Sequence, residues 1–120
     1  MKLLFSLVIA ISLVGCATPA DRRKQPPNID TSSKKSAKEV ASCITEKWEN
    51  VTSFGSGKPI NTNIKLNGYA IMITETAAAG NTNTWALVDV LENQSESTTK
   101  YYRDRGPGFG DYDKAVTDCQ

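Results

Sequence analysis

Histidine is absent from all 120 residues of this chain. The chain therefore lacks the side chain that most often serves as a general base or metal ligand near neutral pH. A Ser-His-Asp or Cys-His catalytic arrangement is impossible within it. Ser32-Ser33-Lys34-Lys35 matches a serine-x-x-lysine spacing, but its polar surroundings indicate a linker. We predict that the protein is not an enzyme and uses no cofactor.

Long apolar runs are also scarce. The only one covers residues 3–14 and is interrupted by Ser6 and Ser12. Twelve residues extend about 18 Å as a helix, whereas a membrane span needs about 20 residues. Lys2 precedes the run and small residues follow it, as in a secretory signal peptide. We therefore assign residues 1–15 to a signal peptide that is removed from the mature protein.

The end of this run reads Leu13-Val14-Gly15-Cys16. It resembles the lipobox of bacterial lipoproteins, in which Leu, a small or apolar residue, and Gly or Ala precede Cys. The resemblance implies a diacylglycerol thioether on Cys16, cleavage before it, acylation of its amino group and stable anchoring in a lipid bilayer. Ala17 stands where inner-membrane lipoproteins carry Asp, which implies the outer membrane, with the domain facing the periplasm or the cell surface. The alternative is an ordinary secretory signal with a chance cysteine.

The rest of the chain divides by charge. Residues 17–36 carry five basic side chains against two acidic ones, whereas residues 37–120 carry eight basic against eleven acidic. The first segment also contains Pro19, Pro26 and Pro27, which fix φ and remove backbone donors. We predict a flexible tether over residues 16–36, either resting on anionic headgroups or acting as a soluble spacer. One domain follows over residues 37–120, and its acidic balance argues against nucleic acid as a partner.

The chain contains only three cysteines. With Cys16 lipidated, Cys43 and Cys119 remain in an oxidising compartment, where such pairs form disulfides. Their bond would close a loop of about 77 residues, which the chain-entropy relation credits with about 4–5 kcal/mol. The alternatives are two free thiols or a metal pair, although two cysteines without histidine make a poor zinc site.

The spacing of apolar residues predicts two helices and four strands. Ser36 or Ser33 can cap a helix to about Asn50, and Ser36 with Glu39 is a capping-box pair ahead of apolar residues at three- and four-residue spacing. Alternating apolar residues and turn signals indicate strands near 60–66, 69–73, 85–91 and 98–105, and Asp111 can cap a final helix. Short connections between these strands predict an antiparallel meander in an α+β fold of order α-β-β-β-β-α.

This arrangement assigns faces to the strands. Asn67-Gly68 is the expected two-residue turn after the first strand, and Ile64 and Leu66 belong to the expected buried face of that strand. Asp89 interrupts the most apolar strand and is either a buried charge or faces water. Both helices should pack on one face of the sheet, joined by the disulfide. The other face should then be open to solvent or a partner.

Several stretches of the domain form a recognisable set: Cys43 with Trp48, Gly68-Tyr69, Trp85-Ala86-Leu87-Val88-Asp89-Val90, Lys100-Tyr101-Tyr102, and Tyr112-Asp113-Lys114-Ala115-Val116-Thr117-Asp118-Cys119. Together they resemble a group of small proteobacterial lipoproteins that carry no assigned activity. The likeness covers about residues 37–120. It implies the disulfide and the architecture, and it implies no mechanism.

Two stretches near the C-terminus contain residue types that could bind an anion or a metal ion. Gly106-Pro107-Gly108-Phe109-Gly110 is rich in glycine like a phosphate loop, but Pro107 removes an N–H and acidic residues flank the stretch. Asp104, Asp111 and Asp113 could gather around calcium, yet their spacing matches no EF-hand loop. We therefore predict no metal site.

Aromatic and basic residues are concentrated after residue 100. Such a composition suits a protein or glycan partner, although a fourth strand must also bury one of its faces. We predict binding through the open sheet face or this stretch, with only one of the two tyrosines facing the partner. The residues concerned are Tyr101, Tyr102, Arg103, Arg105 and Phe109.

These features predict a non-enzymatic envelope lipoprotein that binds an envelope protein or glycan. The alternatives are an inhibitor of a wall-degrading enzyme and a prophage-encoded exclusion lipoprotein.

Overall fold

The structure is a computed structural model, and it describes residues 17–51 and 59–120. Their elements alternate between helices and strands before a run of four consecutive strands. The helices are α1 (Pro19–Arg23), α2 (Ala37–Glu49) and α3 (Gly110–Asp118), and the strands are β1 (Ile29–Ser33), β2 (Ile60–Lys65), β3 (Gly68–Thr76), β4 (Thr82–Asn93) and β5 (Glu96–Arg103).

The strands form one antiparallel sheet in the order β1-β5-β4-β3-β2. The predicted α+β class is confirmed, and β2 to β5 form a meander. The prediction of four strands is wrong by one, because β1 adds a fifth at the edge next to β5, with Ile29 opposite Tyr101. This strand is short and polar, as edge strands often are, so its own sequence carries little strand signal.

Residues 17–36 form α1 and β1, in contrast to the flexible tether expected over residues 16–36. Thr18 caps α1 by accepting from the Asp21 backbone N–H at 3.2 Å, and the Asp21 carboxylate accepts from the Thr18 N–H at 3.0 Å. Pro19 occupies the first turn of the helix, where its missing N–H costs nothing. A five-residue helix is too short to be stable alone, so contacts with the sheet must hold it.

Helices α2 and α3 pack on the same face of the sheet. Ser36 caps α2 by accepting from the Glu39 N–H at 3.2 Å, as the sequence predicted. Trp48 is buried between the helices and the strands, and its indole N–H donates to the Tyr112 carbonyl at 3.2 Å. The predicted disulfide is confirmed: Cys43 and Cys119 are bonded with Cα atoms 5.7 Å apart, which joins the two helices.

Two local predictions are wrong in detail. The turn between β2 and β3 is Leu66-Asn67, and Gly68 already pairs with Lys65 as the first residue of β3. A Cβ atom on Gly68 would lie 2.0 Å from the Val90 carbonyl oxygen, so this glycine is needed for close approach of two strands. Helix α3 begins one residue before Asp111, with Phe109 at its N-cap and no capping side chain.

None of the helices over residues 17–51 and 59–120 is long and apolar enough to cross a membrane.

Candidate functional site

The predicted aromatic surface after residue 100 is largely buried. Tyr101 and Phe109 belong to the core beneath the helices, and Tyr102 is 7 % exposed on the opposite face of the sheet. The alternation of the two tyrosines was predicted correctly. The expectation that one of them faces a partner is not met, because α1 and its flanking residues cover part of the second face.

Tyr101 is the most enclosed of these rings. Its centroid lies 5.9 Å from that of Trp48, and its hydroxyl has no hydrogen-bond partner within 3.5 Å. Burial raises the pKa of this hydroxyl, and the nearby carboxylate of Asp113 adds to the rise. The ring therefore serves packing and stays protonated.

The two arginines of the stretch differ. Arg103 donates to Asp113 at 2.9 Å and to the Asp104 carbonyl at 3.0 Å, and its guanidinium carbon lies 5.5 Å from the centroid of the Phe109 ring. These contacts hold the loop before α3 in place. Arg105 is exposed and Arg103 is half-buried, so Arg105 is the most accessible side chain among the five residues predicted to bind.

Asp89 is a buried charge on the second face of the sheet. Arg23 Nε and an Arg23 terminal nitrogen each lie 2.8 Å from an Asp89 carboxylate oxygen, and Lys65 Nζ lies 3.0 Å from one of them. Burial alone would raise the pKa of Asp89, but hydrogen bonds from Arg23 and then Lys65 outweigh it, and the pKa is lowered. The three side chains tie α1 and β2 to the centre of the sheet.

Arg22 makes a second attachment beside this one. Only 6 % of the residue is exposed, and its Nε donates to the Thr84 carbonyl at 2.7 Å. Its terminal nitrogen lies 3.7 Å from Asp104. Neighbouring arginines of α1 thus reach two separate points on the sheet.

Among the described residues, the large exposed aliphatic side chains lie at one end of the sheet. Ile64 is 84 % exposed and Leu66 is fully exposed, although the sequence placed both on the buried face of β2. Within the described residues, an open concavity of about 490 Å³ separates Ala37 and Lys38, at the start of α2, from Ile64, so α2 does not cover this end of the face. We call Ile64 and Leu66 the apolar tip.

A groove continues from the apolar tip along α2. A second concavity of about 350 Å³ lies between α2 and the edge strand β2, and half-buried Tyr69 borders both spaces. We call the two together the β2 groove. Its other lining residues include Ala41, Thr45, Glu49 and Thr62.

No protein-family model matches this chain, and no curated protein is significantly similar to it. Function therefore has to be inferred from the side chains themselves. Within the described part of the chain, no group of three or more acidic or cysteine side chains is placed to hold a metal ion. Asp104, Asp111 and Asp113 are thus not brought together as a calcium site.

Cys16, the predicted lipidation site, lies outside the described residues. Ala17, the first residue described, is fixed to β4: its N–H donates to Asn83 Oδ1 at 2.9 Å, and its carbonyl accepts from the Thr84 N–H at 2.8 Å. Sequence reasoning missed this attachment, although Thr18-Pro19-Ala20-Asp21 is a helix-start signature. No comparable signal marked the exposure of the apolar tip.

Proposed function

We propose that the protein is an outer-membrane lipoprotein, anchored through acylated Cys16, that binds another envelope protein without catalysing a reaction. The lipobox supports the anchor. The Cys43–Cys119 disulfide suits an oxidising compartment outside the cytoplasm.

The observation that carries the binding role is the apolar tip. Single exposed aliphatic residues are common on protein surfaces. Here two of them share one hairpin and border a groove. Burying one such side chain against a partner contributes about 1.5–3 kcal/mol before the costs of association. The tip therefore suits an apolar contact with a protein.

The edge strand offers a second kind of contact. In the part of the chain that the structure describes, strand β2 pairs with β3 on one side only, so its outer backbone groups can pair with an extended segment of a partner. A protein can use both this edge and the apolar tip. A glycan would instead favour a surface with several aromatic rings, whereas the described lining of the β2 groove contains one ring, that of Tyr69. A protein partner is therefore the better fit.

The proposal is tested by cross-linking in intact membranes. A photoreactive amino acid at Leu66 should give one defined cross-linked species, whereas the same group at exposed Lys114 on α3 should not. Ile64→Glu, combined with the Leu66 probe, should abolish the species and leave the unfolding free energy unchanged. Equal cross-linking from both positions, or none from Leu66, would count against the binding role.

The anchor is tested separately. Mass spectrometry of the mature protein should find an acylated Cys16 at its N-terminus, and Cys16→Ser should release the protein from membranes. An unmodified N-terminus would refute the anchor. Capture of a wall-degrading enzyme at Leu66 would favour the inhibitor alternative.

A further inference from the structure

The residue that follows Cys16 in the sequence, Ala17, already belongs to the folded domain. Ala17 is held at both its N–H and its carbonyl, by Asn83 and Thr84 of β4. Thr18 then caps α1 immediately. A group attached to Cys16 is therefore one residue along the chain from Ala17, which is hydrogen-bonded near the start of β4.

The attachment of α1 is hard to release. Arg22 is buried and donates to the Thr84 carbonyl, and Arg23 is the bidentate partner of Asp89. Lifting α1 from the sheet would leave Asp89 with Lys65 as its remaining partner. Leaving a buried charge poorly paired is strongly unfavourable, so the position of Ala17 follows the sheet.

The β3–β4 connection beside Ala17 carries a distinctive surface. No residue from Thr76 to Val88 is acidic or basic. Within this stretch the loop 77–81 joins β3 to β4 and is exposed along its whole length, with the sequence Ala-Ala-Ala-Gly-Asn. Small uncharged residues have no charge to desolvate when they approach a membrane surface.

The apolar tip lies at the other end. In an antiparallel meander the β2–β3 and β4–β5 turns share one end, and the β3–β4 loop lies at the opposite end. Gly68, next to the tip, pairs with Leu91 of β4, whereas Ala17 is hydrogen-bonded to Thr84 of the same strand. Leu91 and Thr84 are seven residues apart, and at about 3.3 Å per residue the distance between them along β4 is about 23 Å.

We propose that the β3–β4 loop rests on the lipid bilayer and that the apolar tip points away from it. This placement rests on the proposed acylation of Cys16. The short connection positions the loop at the headgroups, and the β2 groove faces the aqueous compartment, where a protein partner can reach it. The domain is then held in a fixed orientation, without a spacer.

The placement is testable by the depth of two fluorescent labels. Acylated protein with Ala78→Cys or Leu66→Cys, each labelled with an environment-sensitive dye, is reconstituted in phosphatidylethanolamine–phosphatidylglycerol vesicles containing a headgroup-region spin-labelled lipid. The native cysteines should not react, since Cys16 is acylated and Cys43 is bonded to Cys119. We expect at least threefold stronger quenching at residue 78 than at residue 66.

A flexible insert provides the matched control. About ten Gly and Ser residues placed between Cys16 and Ala17 should keep the protein on the vesicles and bring the two quenching values together. Equal quenching without the insert, or stronger quenching at residue 66, would overturn the placement while leaving the anchor intact. A mass spectrum showing unacylated Cys16 would overturn the proposed anchor, and the placement with it.

Discussion

Arg23 and Asp89 face each other through two contacts of 2.8 Å, across 66 positions of the chain. The carboxylate lies on the central strand β4, and the guanidinium belongs to a five-residue helix. The pair therefore fixes α1 to the middle of the sheet, with Lys65 as a third member.

Arg23→Ala should destabilise the domain by about 2–3 kcal/mol. A fully buried ion pair that loses one partner costs about 3–5 kcal/mol. The smaller figure applies because the Arg23 side chain is 34 % exposed and Lys65 remains beside Asp89. Urea unfolding measures the difference, and Lys24→Ala, at an exposed position on the same segment, is the control. Equal midpoints for the two variants would contradict the role of the pair.

The same carboxylate should make stability depend on pH in the acid range. The pKa of Asp89 is lowered below its ordinary value of 3.8. Its contribution is therefore complete above that value and is lost as pH falls through the lowered pKa. The unfolding free-energy difference between the unmodified protein and Asp89→Asn should stay constant from pH 7 to about 5 and shrink below about pH 4. A difference that grows on acidification would show the opposite shift.

Reduction of the disulfide should cost about 4–5 kcal/mol, the chain-entropy value for a loop of this length. Cys43 and Cys119 are separated by 76 positions and join the two helices of the main face. Urea unfolding is measured for the protein without reductant and with reductant, and for the Cys43→Ala/Cys119→Ala variant under the same two conditions. A double variant as stable as the reduced protein is the expected control result. Stability unchanged by reductant would argue against the bond as a stabilising feature.

The turn between β4 and β5 is strained and can be improved. Gln94 and Ser95 have φ values of 51° and 71°, in the left-handed region that costs an L-residue about 1–2 kcal/mol. Asn-Gly is preferred in such two-residue turns, so Gln94→Asn/Ser95→Gly should add about 1 kcal/mol and raise Tm by about 4–8 °C. Calorimetry measures this. Gly80→Ala, at φ 86° with open space around it, should instead lower Tm through backbone conformation alone.

Sequence reasoning succeeded where a pattern was long and local. The stripe of α2, its Ser36 cap and the four strands of the meander each carry such a pattern, and the disulfide followed from the small number of cysteines. It failed for β1 and α1. These elements are held by pairing with β5 and by the Arg23–Asp89 contact, which join distant parts of the chain. Neighbouring residues do not indicate such contacts, although Thr18 to Asp21 did carry a local start signal for α1.

The candidate site was predicted less well, for a related reason. Aromatic content near residue 101 indicated a binding surface, but tyrosines are as often used to fill cores. Whether a ring is accessible depends on what covers it. Tyr102 is covered on the face that the sequence left open, whereas Ile64 is exposed on a face expected to be buried.

Two isoleucines provide the final test. Ile64 and Ile71 lie on the neighbouring strands β2 and β3, yet one is 84 % exposed and the other is fully buried in the core. Ile71→Ala should cost about 2–5 kcal/mol, the range for truncation in a packed core, whereas Ile64→Ala should change stability by less than about 0.5 kcal/mol. The two changes remove the same atoms, so urea unfolding isolates the effect of burial.

A loss above about 2 kcal/mol for Ile64→Ala would mean that this end of β2 is buried, as the alternation of apolar residues in the sequence first indicated. The apolar tip would then not be available to a partner. With stability unchanged, any loss of the Leu66 cross-link in Ile64→Ala can be assigned to the contact surface.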